Sequence, residues 1–179
     1  MPQTAEICEL THILLSLYID WPIIKRSFLL FLLLTLVTLP VSAQPSIDPG
    51  SPSIDLAVKR CFVSGNTAYL DMVFTAKIDI KAIVIHNQGG NYSTVFYDDE
   101  GKRYSGYGKV LFEIDDRQDP YHGYLEVSRD IPRKVRVVVP NLDRFAAEFP
   151  LITMNYTMEA RSGSNWYTLT IKNMPIDRE

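Results

Sequence analysis

Hydrophobic and polar residues alternate along most of the chain after residue 53. Large aliphatic side chains occupy every second position from Ile54 to Val58, and a second alternating run extends from Ala68 to Phe74. A period of two is typical of a β-strand with one buried face. The turn-forming sequence VSGN separates the two runs, so we expect them to pair as a hairpin.

Short runs of β-branched and aromatic residues continue to the end of the chain, separated by turns rich in glycine, asparagine and aspartate. The predicted strands are Ile80–His86, Tyr92–Tyr97, Lys102–Tyr107, Lys109–Ile114, Gly123–Ser128, Lys134–Pro140, Leu151–Ala160 and Trp166–Asn173. Only Asn141–Phe149 has a helical pattern, and it predicts one short helix capped by Asn141. Without helical crossovers the strands must pair antiparallel, so the pattern predicts an all-β, immunoglobulin-like sandwich of about 7–9 strands.

Residues 1–43 have a different pattern. Lys25–Arg26 precede an unbroken apolar run, Ser27–Leu39, which ends in small residues. A run of about 13 residues fits a secretory signal and is shorter than the roughly 20 residues that span a bilayer. We therefore predict cleavage near Ala43 and an extracytoplasmic location, periplasmic or secreted, with no stable membrane span afterwards. Residues 1–24 are an upstream extension, and an uncleaved anchor is the alternative.

The remaining chain divides into two predicted segments. Residues 44–53, QPSIDPGSPS, are proline-rich and predict a flexible lead-in, and residues 54–179 form the sandwich domain. Cys61 has no partner in this part of the chain, and its apolar neighbours predict a buried, inert thiol. The formal net charge is −3 and no basic run occurs, so nucleic-acid binding has no support.

Candidate catalytic and metal-binding residues are few. Only His86 and His122 follow the signal, and no Gly-x-Ser-x-Gly sequence occurs, so we predict neither an enzyme nor a cofactor site. Asp98–Glu100 carry oxygen ligands for a hard cation, as does a second group, Asp115, Asp116 and Asp119, but neither has calcium-loop spacing. Turn formation is the favoured role for both groups, with cation binding by the second left open. His86, His122 and Asp119 carry zinc ligands, but the sequence does not bring them together.

Tyrosines are the strongest functional signal. Six lie within one third of the domain: Tyr92, Tyr97, Tyr104, Tyr107, Tyr121 and Tyr124. Exposed aromatic rings stack on sugars or anchor a protein partner at low entropic cost. The alternative is a purely structural role, because tyrosine is a favoured strand residue. Three or more coplanar, exposed rings would favour sugar binding, whereas rings turned into the core would exclude it.

Two sequences, FYDDEGKRY (Phe96–Tyr104) and YTLTIKNMPI (Tyr167–Ile176), give the chain a family likeness. With the strand layout, they resemble exported bacterial telokin-like, immunoglobulin-like domains of unknown function, over about Ile54–Ile176. The resemblance implies a β-sandwich in an extracytoplasmic setting and brings no catalytic residues. The chain departs from antibody domains in lacking a second cysteine for Cys61. These observations predict a non-catalytic module that contacts a protein or cell-envelope partner, with carbohydrate binding as the alternative.

Overall fold

The period-two pattern of the sequence becomes alternating burial in the computed structural model, which describes residues 44–160 and 163–178. Along Thr67–Ala76, for example, every second side chain is buried. The described residues belong to one compact unit, residues 43–179. The predicted signal segment and upstream extension, residues 1–43, lie outside the described residues. No helix in the described part of the chain is long and apolar enough to cross a membrane.

Thirteen strands occur in the described ranges, more than the sequence predicted because several are only two or three residues long. They are β1 Ser46–Asp48, β2 Ile54–Ser64, β3 Thr67–Ala76, β4 Ala82–His86, β5 Val95–Tyr97, β6 Arg103–Ser105, β7 Leu111–Ile114, β8 Arg117–Asp119, β9 His122–Glu126, β10 Pro132–Val139, β11 Glu148–Ala160, β12 Gly163–Pro175 and β13 Asp177–Arg178. A single turn of 3₁₀ helix spans Gly90–Tyr92.

The strands form two sheets. In sheet A the order is β1-β12-β11-β4-β9, and β5 pairs with β11 and with β6. In sheet B the order is β13-β2-β3-β10-β7-β8. All pairs between these strands are antiparallel except β13 with β2. The hairpin expected across VSGN, β2–β3, is confirmed. Two further hairpins, β5–β6 and β11–β12, form across the turn residues between other predicted strands.

The core lies between the sheets and is filled by the inward-facing half of each strand. Sheet B contributes Leu70, Phe74 and Phe112, and sheet A contributes Phe96 and Tyr156, all at most 1% exposed. Phe74 and Tyr156 meet edge to face, with ring centroids 6.5 Å apart. The predicted all-β, two-sheet antiparallel sandwich is therefore confirmed.

The predicted helix Asn141–Phe149 is wrong. This segment forms turns, and its last two residues begin β11. The Asp143 carboxylate accepts a hydrogen bond from the Phe145 N–H at 3.0 Å, and the Asp99 carboxylate accepts one from the Ala147 N–H at 3.1 Å. In a helix these N–H groups would donate to backbone carbonyls, whereas here they donate to aspartate side chains. Helix propensity does not include this alternative.

Two predicted loops contain strands instead. Ser46–Asp48, assigned to the flexible lead-in, pair with Thr170–Lys172 as the edge strand β1. The loop predicted after β7 contains β8, which returns through a two-residue turn formed by Asp115 and Asp116. Both aspartates have positive φ angles, 49° and 62°, as a type I′ hairpin turn requires. Short edge strands of this kind carry too few residues to show a period in the sequence.

Cys61 lies on β2 opposite Leu70 and is 3% exposed. Burial, followed by the charges of Asp177 and Asp71, raises the pKa of its thiol to about 12. A thiol with this pKa carries almost no thiolate at neutral pH, so it is a poor nucleophile. The predicted buried position of Cys61 is confirmed.

The outer face of sheet B carries a row of alternating charges. Asp71 accepts hydrogen bonds from Arg60 at 2.8 Å and from Arg136 at 2.6 Å, and these residues lie directly opposite one another on β2, β3 and β10. Partial burial acts to raise the pKa of Asp71, but the hydrogen bonds from Arg136 and Arg60 outweigh it and lower the pKa. These hydrogen-bonded ion pairs therefore link strands β2, β3 and β10 on the outer face of sheet B.

We expect Asp71→Asn to lower the free energy of unfolding at pH 7 by about 1 kcal/mol, a value limited by solvent screening of these partly exposed groups. Because folding lowers the pKa of Asp71 below 3.8, the carboxylate stabilises the fold above that pH and loses this effect as the pH falls through the lowered value. Urea unfolding of both proteins should therefore differ at pH 7 and converge in strong acid. Asp55→Asn, which removes an exposed partner of Lys77, is the matched control and should change little.

Candidate functional site

An exposed chain of aromatic and imidazole rings crosses the outer face of sheet A. Its members, here named the aromatic surface, are Tyr92, Trp166, His86, His122, Tyr121 and Tyr107, in spatial order. The tyrosines and the tryptophan are about half exposed, between 49% and 54%. Groups of neighbouring exposed aromatic side chains are uncommon on the surfaces of soluble proteins, and they mark interaction sites.

Sheet topology brings these rings together from distant parts of the sequence. His86 on β4 lies directly opposite His122 on β9, and Trp166 on β12 lies opposite Thr157 on β11. Thr157 also lies opposite Val84 on β4, so only the short threonine side chain separates the β12 and β4 positions. His86 lies two positions after Val84 on the same face of β4, and the indole of Trp166 reaches diagonally across Thr157 to stack on the His86 ring, with centroids 4.5 Å apart and planes at 30°.

The tyrosines extend this central stack at both ends. Tyr92, in the 3₁₀ turn, lies 4.7 Å from Trp166 between ring centroids, with the planes tilted by 44°. At the other end Tyr107 and Tyr121 meet edge to face at 4.6 Å and 62°. The Tyr107 hydroxyl also donates a hydrogen bond to the Gln88 carbonyl at 3.3 Å. The rings support one another, but they do not share a plane.

Buried Asn87 holds the loops that carry Tyr107 and Tyr121. Its side-chain NH₂ donates to the carbonyl oxygens of Val110 at 2.9 Å and Pro120 at 3.0 Å, with a longer contact to Gly106. Its side-chain oxygen accepts from the Gly106 N–H, and its backbone N–H donates to the Tyr121 carbonyl. Asn87 is 0% exposed, so protein groups rather than solvent satisfy its amide. One side chain thus positions two of the three tyrosines of the aromatic surface.

The imidazole of His86 is half-buried and hydrogen-bonded. Its Nε2 lies 3.1 Å from the Thr157 hydroxyl oxygen. Burial, and then the charge of His122, lower the pKa of His86. The ring is therefore neutral at physiological pH, which favours stacking on Trp166 over repulsion from His122. His122 in turn contacts the Gln88 side chain through its Nε2.

The six tyrosines predicted from the sequence have different surroundings. Tyr92, Tyr107 and Tyr121 belong to the aromatic surface, and Tyr124 is 44% exposed, two positions from His122 on the same face of β9. Tyr97 is half-buried at the end of β5. Tyr104, which the sequence analysis also selected as a ligand or partner contact, is 3% exposed, so its ring does not reach the surface.

Tyr104 is instead part of a buried polar network. Its hydroxyl donates to the Asp98 carboxylate at 2.8 Å and accepts from the Asp143 N–H at 3.0 Å. Burial, together with the nearby Asp98 carboxylate, raises the pKa of Tyr104 to about 12 against the opposing hydrogen bond from Asp143. The network joins the β5–β6 hairpin to the turn that replaces the predicted helix.

Both acidic groups have the turn-forming contacts that the sequence favoured. The Asp98 carboxylate accepts from the Lys102 N–H at 2.7 Å and closes the β5–β6 turn. Asp119 accepts from the N–H groups of Tyr121 and His122 at 2.7 and 3.0 Å. In the described ranges, no group of three or more His, Cys, Asp or Glu side chains is placed to hold a metal ion.

Sequence reasoning missed Trp166 as a functional candidate, although it lies in the aromatic surface and is 53% exposed. The available signal was a tryptophan directly after the turn sequence RSGSN, in a strand whose neighbouring positions are polar. His86 and His122 were considered only as zinc ligands or catalytic bases. Their direct opposition on β4 and β9 follows from strand register, which the sequence does not specify.

A shallow depression adjoins one end of the aromatic surface. It has a volume of about 580 Å³ and is lined by Gly50, Tyr92, Asn155, Trp166, Tyr167 and Thr168. Thr168 donates a hydrogen bond to the side-chain oxygen of Asn155 at 2.8 Å. Aromatic rings beside polar side chains allow both stacking and hydrogen bonding to a ligand.

Comparisons with known proteins identify no family for this chain. No protein-family model and no curated protein matches the chain. Among solved structures, self-complemented MyfA, the major subunit of Myf fimbriae from Yersinia enterocolitica, has a TM-score of 0.44 at 15% identity, covering 70% of this chain and 98% of that chain. The same subunit in complex with galactose has a TM-score of 0.42 at 14% identity, with the same coverage. PapD-like domain 7 of human CEP192, an ASH domain, has a TM-score of 0.33 at 15% identity, covering 74% and 94%.

Proposed function

We propose that this chain is an exported, non-catalytic module that recognises a protein or cell-envelope partner through the aromatic surface. The observation that carries the proposal is the continuous chain of ring contacts from Tyr92 to Tyr107 on the outer face of sheet A, in which the tyrosines and the tryptophan are about half exposed. Its sandwich is of the immunoglobulin-like, telokin-like type, and its signal segment directs it out of the cytoplasm. Tyrosine and tryptophan are the residues that most often dominate binding energy at protein interfaces.

The relative orientation of the rings favours a protein partner. A sugar ring stacks on a flat aromatic platform, whereas the Tyr107–Tyr121 pair is edge to face and the Tyr92–Trp166 pair is tilted by 44°. Rings tilted in different directions form an uneven surface, which can pack against the differently shaped side chains of a protein partner. The buried amide of Asn87 holds the loops in place before binding, which reduces the entropy lost on association.

Carbohydrate binding is the second candidate, and the depression beside Trp166 favours it. Tyr92 and Trp166 form its aromatic part, and Asn155 and Thr168 line it with polar side chains. A ligand there would use one end of the aromatic surface and leave Tyr107 and Tyr121 untouched. The two candidates therefore predict contacts at different positions.

Photo-crosslinking separates the two candidates. A photoreactive phenylalanine analogue placed at Tyr107 or at Tyr92 of the full chain should crosslink a discrete protein partner in cells that produce it. Trp166→Ala should weaken the affinity for that partner, measured with purified components, by tenfold or more, about 1.4 kcal/mol. Phe145, which is 65% exposed and outside the aromatic surface, is the matched position for both the analogue and the alanine substitution.

The outcomes are distinct. Crosslinks at Tyr107 that match those at Phe145 in identity and yield would contradict the proposal. Binding on a glycan array that Trp166→Ala and Tyr92→Ala abolish, with Tyr107→Ala unaffected, would establish the carbohydrate candidate in its place.

A further inference from the structure

We propose that His86 and His122 form a two-histidine binding site for a divalent transition-metal ion, with Cu²⁺ the ion bound most tightly. The two residues are directly opposite on neighbouring antiparallel strands and face the same side of sheet A. This proposal is independent of partner recognition, because it rests on the geometry of the histidine pair and not on exposure of the tyrosines.

Strand register places the two imidazoles unusually close. The Asn87 N–H donates to the Tyr121 carbonyl at 2.9 Å, so the Asn87–Tyr121 pair is hydrogen-bonded. Hydrogen-bonded and non-hydrogen-bonded pairs alternate along an antiparallel ladder, which makes His86 and His122 a non-hydrogen-bonded pair. The side chains of such a pair approach each other most closely.

The separation of the rings fits a shared metal ion. Zinc–imidazole bonds are about 2.0–2.1 Å long, and two of them at a tetrahedral angle place the ring centroids about 5 Å apart. The centroids of His86 and His122 are 6.0 Å apart, with planes at 79°. The final side-chain torsion of histidine is soft, so small rotations of the two rings close this difference.

The chemistry of the pair selects the class of metal. Neutral imidazole is a ligand for Zn²⁺, Ni²⁺ and Cu²⁺ rather than for Mg²⁺ or Ca²⁺, and Cu²⁺ binds most tightly of the divalent series. The Oδ1 of Asp119 accepts hydrogen bonds from the Tyr121 and His122 N–H groups. The Nε2 of His86 lies 3.1 Å from the Thr157 hydroxyl oxygen and the Nε2 of His122 contacts Gln88, so an ion bound at these nitrogens replaces two neutral contacts. The proposed site has two protein ligands, the imidazoles, and water completes the coordination shell.

Trp166 provides a built-in probe, since its indole stacks on His86 at 4.5 Å. Cu²⁺ bound at the histidine pair lies close enough to quench the fluorescence of this tryptophan. The experiment is a titration of the full chain with Cu²⁺ in a non-coordinating buffer, recorded by fluorescence and by calorimetry. Trp166→Phe identifies the part of the signal that belongs to Trp166, because Trp21 is also present.

The decisive variants are His86→Phe and His122→Phe, which keep an aromatic ring in the surface and remove the ligand nitrogen. Each should weaken Cu²⁺ binding by about tenfold or more, because two linked ligands bind one ion far better than either alone. His12→Ala is the matched control and should bind as the unchanged chain does. Circular dichroism of each variant verifies that the sandwich has folded.

A 1:1 stoichiometry with quenching of Trp166, lost in both phenylalanine variants and kept in His12→Ala, supports the site. If either phenylalanine variant binds Cu²⁺ with unchanged affinity, or if Mg²⁺ competes as well as Zn²⁺, the proposal is overturned. Neither result bears on the crosslinking experiment at Tyr107, so the two proposals fail separately.

Discussion

Replacing Asn87 by alanine is expected to lower the free energy of unfolding by about 3 kcal/mol. The substitution removes the donors to the Val110 and Pro120 carbonyls and the acceptor of the Gly106 N–H, at a site that is 0% exposed. Each buried backbone group left without a partner costs about 1–3 kcal/mol, and partial relaxation of the loops reduces the sum. Urea denaturation followed by circular dichroism measures the change.

The matched control is Asn66→Ala. The Asn66 amide donates an exposed hydrogen bond to the Asn141 side chain at 3.2 Å, so its removal should change stability by less than about 0.5 kcal/mol. Asn87→Ala should also release the loops that carry Tyr107 and Tyr121, seen as faster amide hydrogen exchange in both loops. Equal stability of the two variants would mean that Asn87 does not hold the loops together.

Replacing Tyr104 by phenylalanine is expected to lower the free energy of unfolding by about 2 kcal/mol. The ring and its packing remain, but the Asp98 carboxylate, which is 2% exposed, loses its hydroxyl donor and the Asp143 N–H loses its acceptor. Hydrogen bonds to charged groups contribute about 1.5–3 kcal/mol each. Tyr124→Phe, on the exposed face of β9, is the control and should leave stability nearly unchanged.

The same substitution has a signature at high pH. Folding raises the pKa of Tyr104 to about 12, so the hydroxyl stabilises the fold fully below pH 10, where the unfolded chain also keeps its proton. This contribution is lost as the pH rises from 10 towards 12. Stability of the unchanged protein and of Tyr104→Phe should therefore converge over that interval. A constant difference up to pH 12 would place the Tyr104 hydroxyl in contact with solvent.

The strands and their inward faces were predictable because they follow from local alternation. Leu70 and Phe74 share the buried face of β3 through a period of two, which needs no knowledge of the partner strands. The hairpins β2–β3 and β11–β12 were also predictable, since turn residues lie between the alternating runs. By contrast, Asn141–Phe149 has a helical pattern but forms no helix, because two of its backbone N–H groups donate to the carboxylates of Asp143 and Asp99. Asp99 lies far away in the sequence, so local propensity did not include its effect.

The sequence by itself determined the two-sheet sandwich, the burial of Cys61 and the presence of a tyrosine-rich region. Only the tertiary structure decided which of those tyrosines are exposed, because Tyr104 and Tyr107 lie three positions apart in one polar segment, yet Tyr104 is buried and Tyr107 is exposed. It also decided that Trp166, His86 and His122 join them, since these residues meet through the pairing of strands β12, β11, β4 and β9. Alternation is a property of neighbours along the chain, whereas a surface is assembled from strands whose order and register are set by long-range packing.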